Sequence, residues 1–137
     1  MNVYICDIDG TLADNSHRSP YDENKVLEDK PLPTIEIIKA LLATGDRIIY
    51  FSGRTKACEL DTIKWIAKYI DPDGIEIYMR EIGDNRSDDI VKREFYNKIY
   101  NQGLRPIGVF DDRLKVCRMW YELGIFVFNC NQGLKEF

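Results

Sequence analysis

The sequence predicts an α/β fold: a Rossmann-like three-layer domain with a five-stranded, mostly parallel sheet and helices on both faces. Three observations predict it. Five short runs of β-branched and aromatic residues alternate with four helical patterns, with no linker or repeat between them. The apolar residues of those runs are mostly consecutive, as in strands covered on both faces, not alternating as in half-exposed ones. The length of 137 residues, 45% of them hydrophobic, suits one domain that buries a core without metal or disulfide staples. A single domain over residues 1–137 is therefore expected.

The strand runs are residues 3–7, 47–52, 75–79, 107–110 and 125–128. The helical patterns are residues 34–44, 55–69, 87–102 and 113–123, and three of them end at Gly45, Gly103 and Gly124, where a left-handed residue costs least. Ser87 followed by Asp88 and Asp89 reads as a side-chain cap with acids in the first turn. The stretch 13–33 is polar and proline-bearing, so it is expected to pass over the strand ends as an ordered excursion.

Composition removes other classes. No apolar run approaches the roughly 20 residues of a membrane span, and Met1-Asn2-Val3 enters apolar sequence without a leader-like basic start, so no membrane association is expected. Cys6, Cys58, Cys117 and Cys130 form no C-x-x-C pair and read as reduced thiols of a cytoplasmic protein. A net charge of −4 argues against broad coating of nucleic acid, though not against brief capture of a strand end.

In a doubly wound sheet, chemistry sits beyond the carboxyl ends of the strands. Asp7-Ile8-Asp9-Gly10-Thr11 follows the first strand, and Asp111-Asp112-Arg113 follows the fourth. Residues two apart share a face of a strand, so Asp7 and Asp9 are expected together. If the two strands are neighbours, four carboxylates converge, and a hard divalent ion such as Mg2+ is the simplest compensation. The alternative for each pair is a solvated strand-end cap. Ser52-Gly53-Arg54-Thr55 follows the second strand and reads as the opening of a helix, hence an anion site or an ordinary cap. Lys92 lies four residues after Asp88, which also fits a plain surface ion pair.

In chain order, Asp7-Ile8-Asp9-Gly10-Thr11, Ser52-Gly53-Arg54, Lys92 and Asp111-Asp112 resemble the four motifs of haloacid dehalogenase-like phosphatases. A longer likeness, from Val3 to Asn129, is to the 3′-phosphatase domain of bacteriophage polynucleotide kinase. It is carried by Arg18-Ser19-Pro20-Tyr21, by the string from Met79-Arg80-Glu81 through Gly83-Asp84 and Asp88-Asp89 to Lys92, and by Phe110-Asp111-Asp112-Arg113 with Met119-Trp120. The resemblance implies Asp7 as nucleophile and Asp9 as general acid and base. It also implies metal at Asp7, Asp111, Asp112 and the Asp9 backbone carbonyl. Ser52 with Gly53, Arg54, Arg18 and Lys92 would grip phosphate, and Asp88 would hold Lys92. The kinase half is not encoded here, because none of the nine glycines precedes a Lys and a G-x-x-x-x-G-K-[ST] loop is absent.

The spans between motifs are filled by predicted helices and strands, leaving a minimal cap. The expected function is a Mg2+-dependent phosphomonoesterase acting on 3′ ends of DNA or RNA, beside a separate kinase or ligase partner. Two alternatives stand with it. One is a phosphatase of free 3′- or 5′-nucleotides that recruits Tyr21, Tyr78, Trp65 or Trp120 to a base pocket. The other is a catalytically silent binding module. Arg80, Arg86 and Arg113 are candidates either for backbone contacts to nucleic acid or for salt bridges within the fold.

Overall fold

The computed structural model describes residues 1–137. Chain order is β1 (Val3–Cys6), β2 (Ala13–Asp14), a 3-10 helix (Glu23–Glu28), β3 (Lys30–Pro31), α1 (Thr34–Ala43) and β4 (Arg47–Thr55). A 3-10 turn (Lys56–Cys58) then leads into α2 (Glu59–Tyr69), β5 (Glu76–Arg80), α3 (Asp88–Asn101), β6 (Gly108–Asp111), α4 (Leu114–Glu122) and β7 (Val127–Asn129). The main sheet runs β5-β4-β1-β6-β7 and every pairing in it is parallel, so the expected mostly parallel sheet is wholly so. The order reverses at β1, which puts the crevice of the switch point beyond the carboxyl ends of β1, β4 and β6.

Successive residues of each central strand serve two different cores, which is why the runs are continuously apolar. Val3, Ile5, Ile49, Phe51 and Val109 pack against Val91, Phe95 and Ile99 of α3 and Val116, Met119 and Trp120 of α4. Cys6, Ile48, Tyr50 and Phe110 face the other way, onto Ile35 and Ile38 of α1 and Trp65 and Ile66 of α2. Helices α1, α3 and α4 run out at the three expected glycines.

Two boundaries differ from expectation. Ser52-Gly53-Arg54-Thr55 does not open a helix: β4 continues through it, with a register shift against β5 between Ser52 and Thr55. The chain stays extended because Arg54 turns inward to buried acids and the Thr55 amide donates to Glu23 Oε2 (2.7 Å). At α3, Ser87 occupies the cap position without accepting from a backbone amide of the helix, its hydroxyl donating instead to the Asp89 side chain at Oδ1 (2.5 Å). The 13–33 excursion is ordered as expected, with β2 and β3 antiparallel and Val26 buried under Cys58 and Met79.

Phe51 sits at the centre of the α3/α4 core, with Tyr78, Phe95 and Trp120 rings around it. Phe51→Ala is expected to cost about 3–5 kcal/mol in urea unfolding, the range for truncating a buried aromatic. Ile37→Ala, at a position 54% exposed, is expected within about 0.5 kcal/mol of wild type. Equal costs would contradict the assigned core.

Candidate active site

Strand parity delivers the first two acids. Asp7 extends the row of Val3 and Ile5, and Asp111 extends that of Val109, so both point to the side covered by α3. Lys92, one turn into α3, meets them there: its Nζ donates to Asp7 Oδ1 (2.7 Å) and Asp111 Oδ2 (3.0 Å). The Thr11 hydroxyl donates to Asp7 Oδ2 (3.1 Å) and lies 3.4 Å from Asp112 Oδ1. Asp111 also accepts from the Arg113 amide (3.2 Å) and the Trp120 indole (3.4 Å), and the Asp112 carbonyl accepts from Asn131 Nδ2 (2.8 Å). Gly10, at φ +76°, brings its backbone so close to the Asp112 carboxylate that any Cβ would collide with it.

Asp7, Asp111 and Asp112 are all buried, and one ligand oxygen from each lies within 4.8 Å of the others. Burial, and then the charge of Asp111, push the Asp7 carboxyl well above its usual value although Lys92 pulls it down. Burial chiefly raises Asp112 as well. Burial opposes the Lys92 charge, but Asp111, Asp7 and Asp88 outweigh it, and the ammonium is held more firmly than in water. Three carboxylates against one ammonium leave negative charge that a hard, oxygen-seeking divalent ion fits.

Asp9 lies elsewhere. β1 ends at Cys6, so the two-residue period that would align Asp9 with Asp7 no longer applies. The Asp9 carboxylate accepts from Arg54 Nη2 (2.7 Å) and Nε (3.2 Å) and from Arg18 Nη2 (3.3 Å). It is absent from the acid cluster, so any bond from Asp9 to metal falls to its backbone carbonyl. Asp29, which no motif or periodicity singles out, backs both arginines: Arg18 donates to it through Nε (2.9 Å) and Nη2 (3.0 Å), and Arg54 through Nη2 (2.8 Å). In this arrangement Arg18 and Arg54 turn their Nε and Nη2 groups to Asp9 and Asp29, while Nη1 of Arg18 donates to the Ser19 and Asp22 carbonyls and Nη1 of Arg54 to the Thr62 hydroxyl.

Ser52 is buried at the crevice and accepts from the Arg54 amide (3.1 Å). Gly53 lies against Asp88, whose Oδ1 would stand 2.6 Å from a Cβ there. Asp88 makes no hydrogen bond to Lys92, contrary to the expected tether, and influences it through charge alone. Asp88 is held instead by Arg80 and by Arg113 Nη1 (2.8 Å), and although burial opposes its charge, Lys92, Arg113 and Arg80 keep its carboxyl below the usual value. Arg80 also donates to the carbonyls of Gly53 (2.8 Å), Asp84 (3.0 Å) and Arg86 (2.5 Å), and Arg86 pairs with Asp84 and Glu94. These three arginines are thus engaged within the fold. Of the aromatics considered for a base pocket, Trp65 and Trp120 are core residues, Tyr78 packs on Phe51 and Phe95, and Tyr21 is 93% exposed.

Known proteins resemble this chain in both sequence and fold. A protein of Autographa californica nuclear polyhedrosis virus, named as a bifunctional polynucleotide kinase/RNA ligase, is 40% identical over 137 residues, covering 97% of this chain and 20% of that one. A chain in the structure of the Pnkp1/Rnl/Hen1 RNA repair complex superposes with a TM-score of 0.88 at 32% identity, covering 98% of this chain and 43% of that one. The class C acid phosphatase of Bacillus anthracis shares the fold, with a TM-score of 0.70 at 17% identity, covering 98% of this chain and 68% of that one. The chain therefore spans a fifth of the viral relative and under half of the repair-complex chain. Residues 1–134 match the family model of the polynucleotide kinase PNKP phosphatase domain, and to that family of phosphatase domains the chain belongs.

Proposed function

We propose that the protein is a Mg2+-dependent phosphomonoesterase that removes 3′-phosphate from DNA or RNA ends through a phosphoryl group carried on Asp7. The observation that carries the reading is the Lys92 ammonium bound between Asp7 and Asp111 in a buried three-carboxylate cluster at the switch point. Asp7, Asp111 and Asp112 would hold the ion, which when bound supplies positive charge to the carboxylates and to the phosphoryl oxygens.

The chain's own residues account for the rest. An Asp7 carboxylate oxygen attacks phosphorus as the bond to the 3′ oxygen breaks, and Asp9 gives a proton to that leaving oxygen. Water then attacks phosphorus, Asp9 takes its proton, and Asp7 is released with free phosphate. Lys92 spends two of its three N–H groups on Asp7 and Asp111, which leaves one for a phosphoryl oxygen. The Ser52 hydroxyl accepts from the Arg54 amide and keeps its own hydrogen for the same use.

The lack of an inserted cap favours a polymer end. The 13–33 excursion supplies two-residue strands and a short 3-10 helix, not an inserted cap domain. With both tryptophans in the core, a base-stacking pocket for free nucleotides has little to recruit. The names of the relatives, a kinase/RNA ligase and an RNA repair complex, support nucleic-acid ends as substrate and a kinase or ligase acting alongside. No helix is long and apolar enough to cross a membrane, and the four cysteines are unpaired, in keeping with a cytoplasmic setting.

Purified protein with Mg2+ is expected to release phosphate from a 3′-phosphorylated oligonucleotide and to lose that activity in Asp7→Asn; equal turnover of free 3′- and 5′-mononucleotides would contradict the polymer reading. Lys92→Ala is expected to lower kcat roughly a hundredfold, equivalent to about 3 kcal/mol of transition-state stabilisation, whereas a change confined to KM would contradict its role. Stability follows the acid cluster as well. Folding raises the Asp7 and Asp112 values, so the folded protein binds protons more tightly than the unfolded chain, and without metal its stability falls as pH rises through those raised values. Mg2+ at a hundredfold excess over Kd is expected to add about 2.7 kcal/mol of stability and so to lift the thermal midpoint over an EDTA control near neutral pH, and Asp112→Asn is expected to diminish the lift. An unchanged midpoint would contradict the assigned ion site.

A further inference from the structure

We propose that Asp29 is a positioning residue for Asp9, acting through Arg18 and Arg54. The inference rests on the reading of Asp9 as the proton donor to the leaving oxygen.

Each guanidinium bridges the two carboxylates. Arg54 uses Nη2 on both Asp9 Oδ1 (2.7 Å) and Asp29 Oδ2 (2.8 Å), Nε on Asp9, and Nη1 on the Thr62 hydroxyl (3.0 Å). Arg18 grips Asp29 with Nε and Nη2, reaches Asp9 with Nη2 (3.3 Å), and donates through Nη1 to the carbonyls of Ser19 and Asp22 (3.3 Å each). Asp29 is anchored further by His17 Nε2, 2.7 Å from its Oδ1, and by the Trp65 indole, which donates to its carbonyl (2.8 Å). Exposure orders the four side chains: Asp29 is sealed, Arg18 and Arg54 are 1% and 2% exposed, and Asp9 is 30% exposed. Of the four, only Asp9 is substantially exposed, and the arginines lie behind it with their Nε and Nη2 groups engaged on the two carboxylates.

Two guanidiniums are balanced by two carboxylates. Without the Asp29 charge, Asp9 would be the single counter-ion of two buried cations, and both forks would close on it from behind. Asp29 thus divides the guanidinium donors, so that Asp9 is held from behind through both oxygens and keeps its exposed side toward the crevice. The arginines serve the reaction through Asp9, and Asp29 serves it through the arginines.

The test uses leaving-group dependence. A 3′-sugar alkoxide must be protonated to leave, whereas p-nitrophenolate leaves without a proton, so a misplaced acid harms the first substrate selectively. Release of the leaving group in the first turnover is measured for a 3′-phosphorylated oligonucleotide and for p-nitrophenyl phosphate, with wild type, Asp9→Asn, Asp29→Asn and Arg18→Lys, and thermal midpoints are recorded beside them. Asp29→Asn keeps shape and removes charge. Arg18→Lys keeps charge and removes the bridging fork, and it decides the matter if Asp29→Asn does not fold. Both are expected to resemble Asp9→Asn, with a loss on the oligonucleotide about tenfold or more greater than on p-nitrophenyl phosphate. Equal losses on the two substrates, or none, would overturn the positioning role. If Asp9→Asn discriminates between substrates and Asp29→Asn and Arg18→Lys do not, the proposal fails while the function stands; if wild type releases neither group, both fall.

Discussion

The Lys92 ammonium, bound between Asp7 and Asp111, is the interaction on which the rest of the site depends. Withdrawing an ammonium from water costs several kcal/mol, and in this fold that cost is offset only where two carboxylates converge on it. Those carboxylates have the same difficulty in reverse, since three of them share one buried pocket. Neither set is tolerable alone. Together they form a site that is organised yet still short of positive charge, the state in which a divalent ion and a phosphoryl group are welcome.

What places the groups is the sheet. Two parallel strands side by side, β1 running straight into Asp7 and β6 ending at Asp111, set these acids next to each other on the α3-facing row, and the crossover helix α3 brings Lys92 over them. The surroundings are cut to fit by glycines. Gly10 yields space to Asp112 and Gly53 yields space to Asp88. Asp88, held by Arg80 and Arg113, fixes the start of α3 and adds negative charge near Lys92 without touching it. A second layer, Asp9 with Arg18, Arg54 and Asp29, stands apart from the first, so the proposed nucleophile and the proposed acid occupy separate electrostatic environments. Such separation is how neighbouring carboxylates come to play unlike roles.

Strand periodicity and order made much of this legible beforehand. The two-sided burial of β1, β4 and β6 was written in their continuous apolar runs, and Asp7 and Asp111 could be paired because each ends such a run. Periodicity failed where the elements stopped. Asp9 was expected beside Asp7 because residues two apart share a face, but β1 had already ended. Ser52-Gly53-Arg54-Thr55 looked like a helix start, and tertiary partners, buried Asp29 for Arg54 and Glu23 for Thr55, kept it in the strand. Asp29 itself was invisible: an acid in a polar excursion carries no periodic signal, and only the fold reveals that two distant arginines converge on it. The tether expected from Asp88 to Lys92 was a helical spacing that the actual geometry assigns to Arg80 and Arg113.

Asp7, poised by Lys92, is the residue proposed to take the phosphoryl group from the substrate. The most direct test of that role is to quench single turnovers of a 3′-phosphorylated oligonucleotide in acid and locate the phosphoryl group by peptide mass spectrometry. A transient phosphoryl group is expected on the peptide that contains Asp7, rising before free phosphate appears and absent in Asp7→Asn. Release of phosphate with no phosphorylated protein at any quench time under conditions where the acyl phosphate survives, or with the group on another residue, would contradict it.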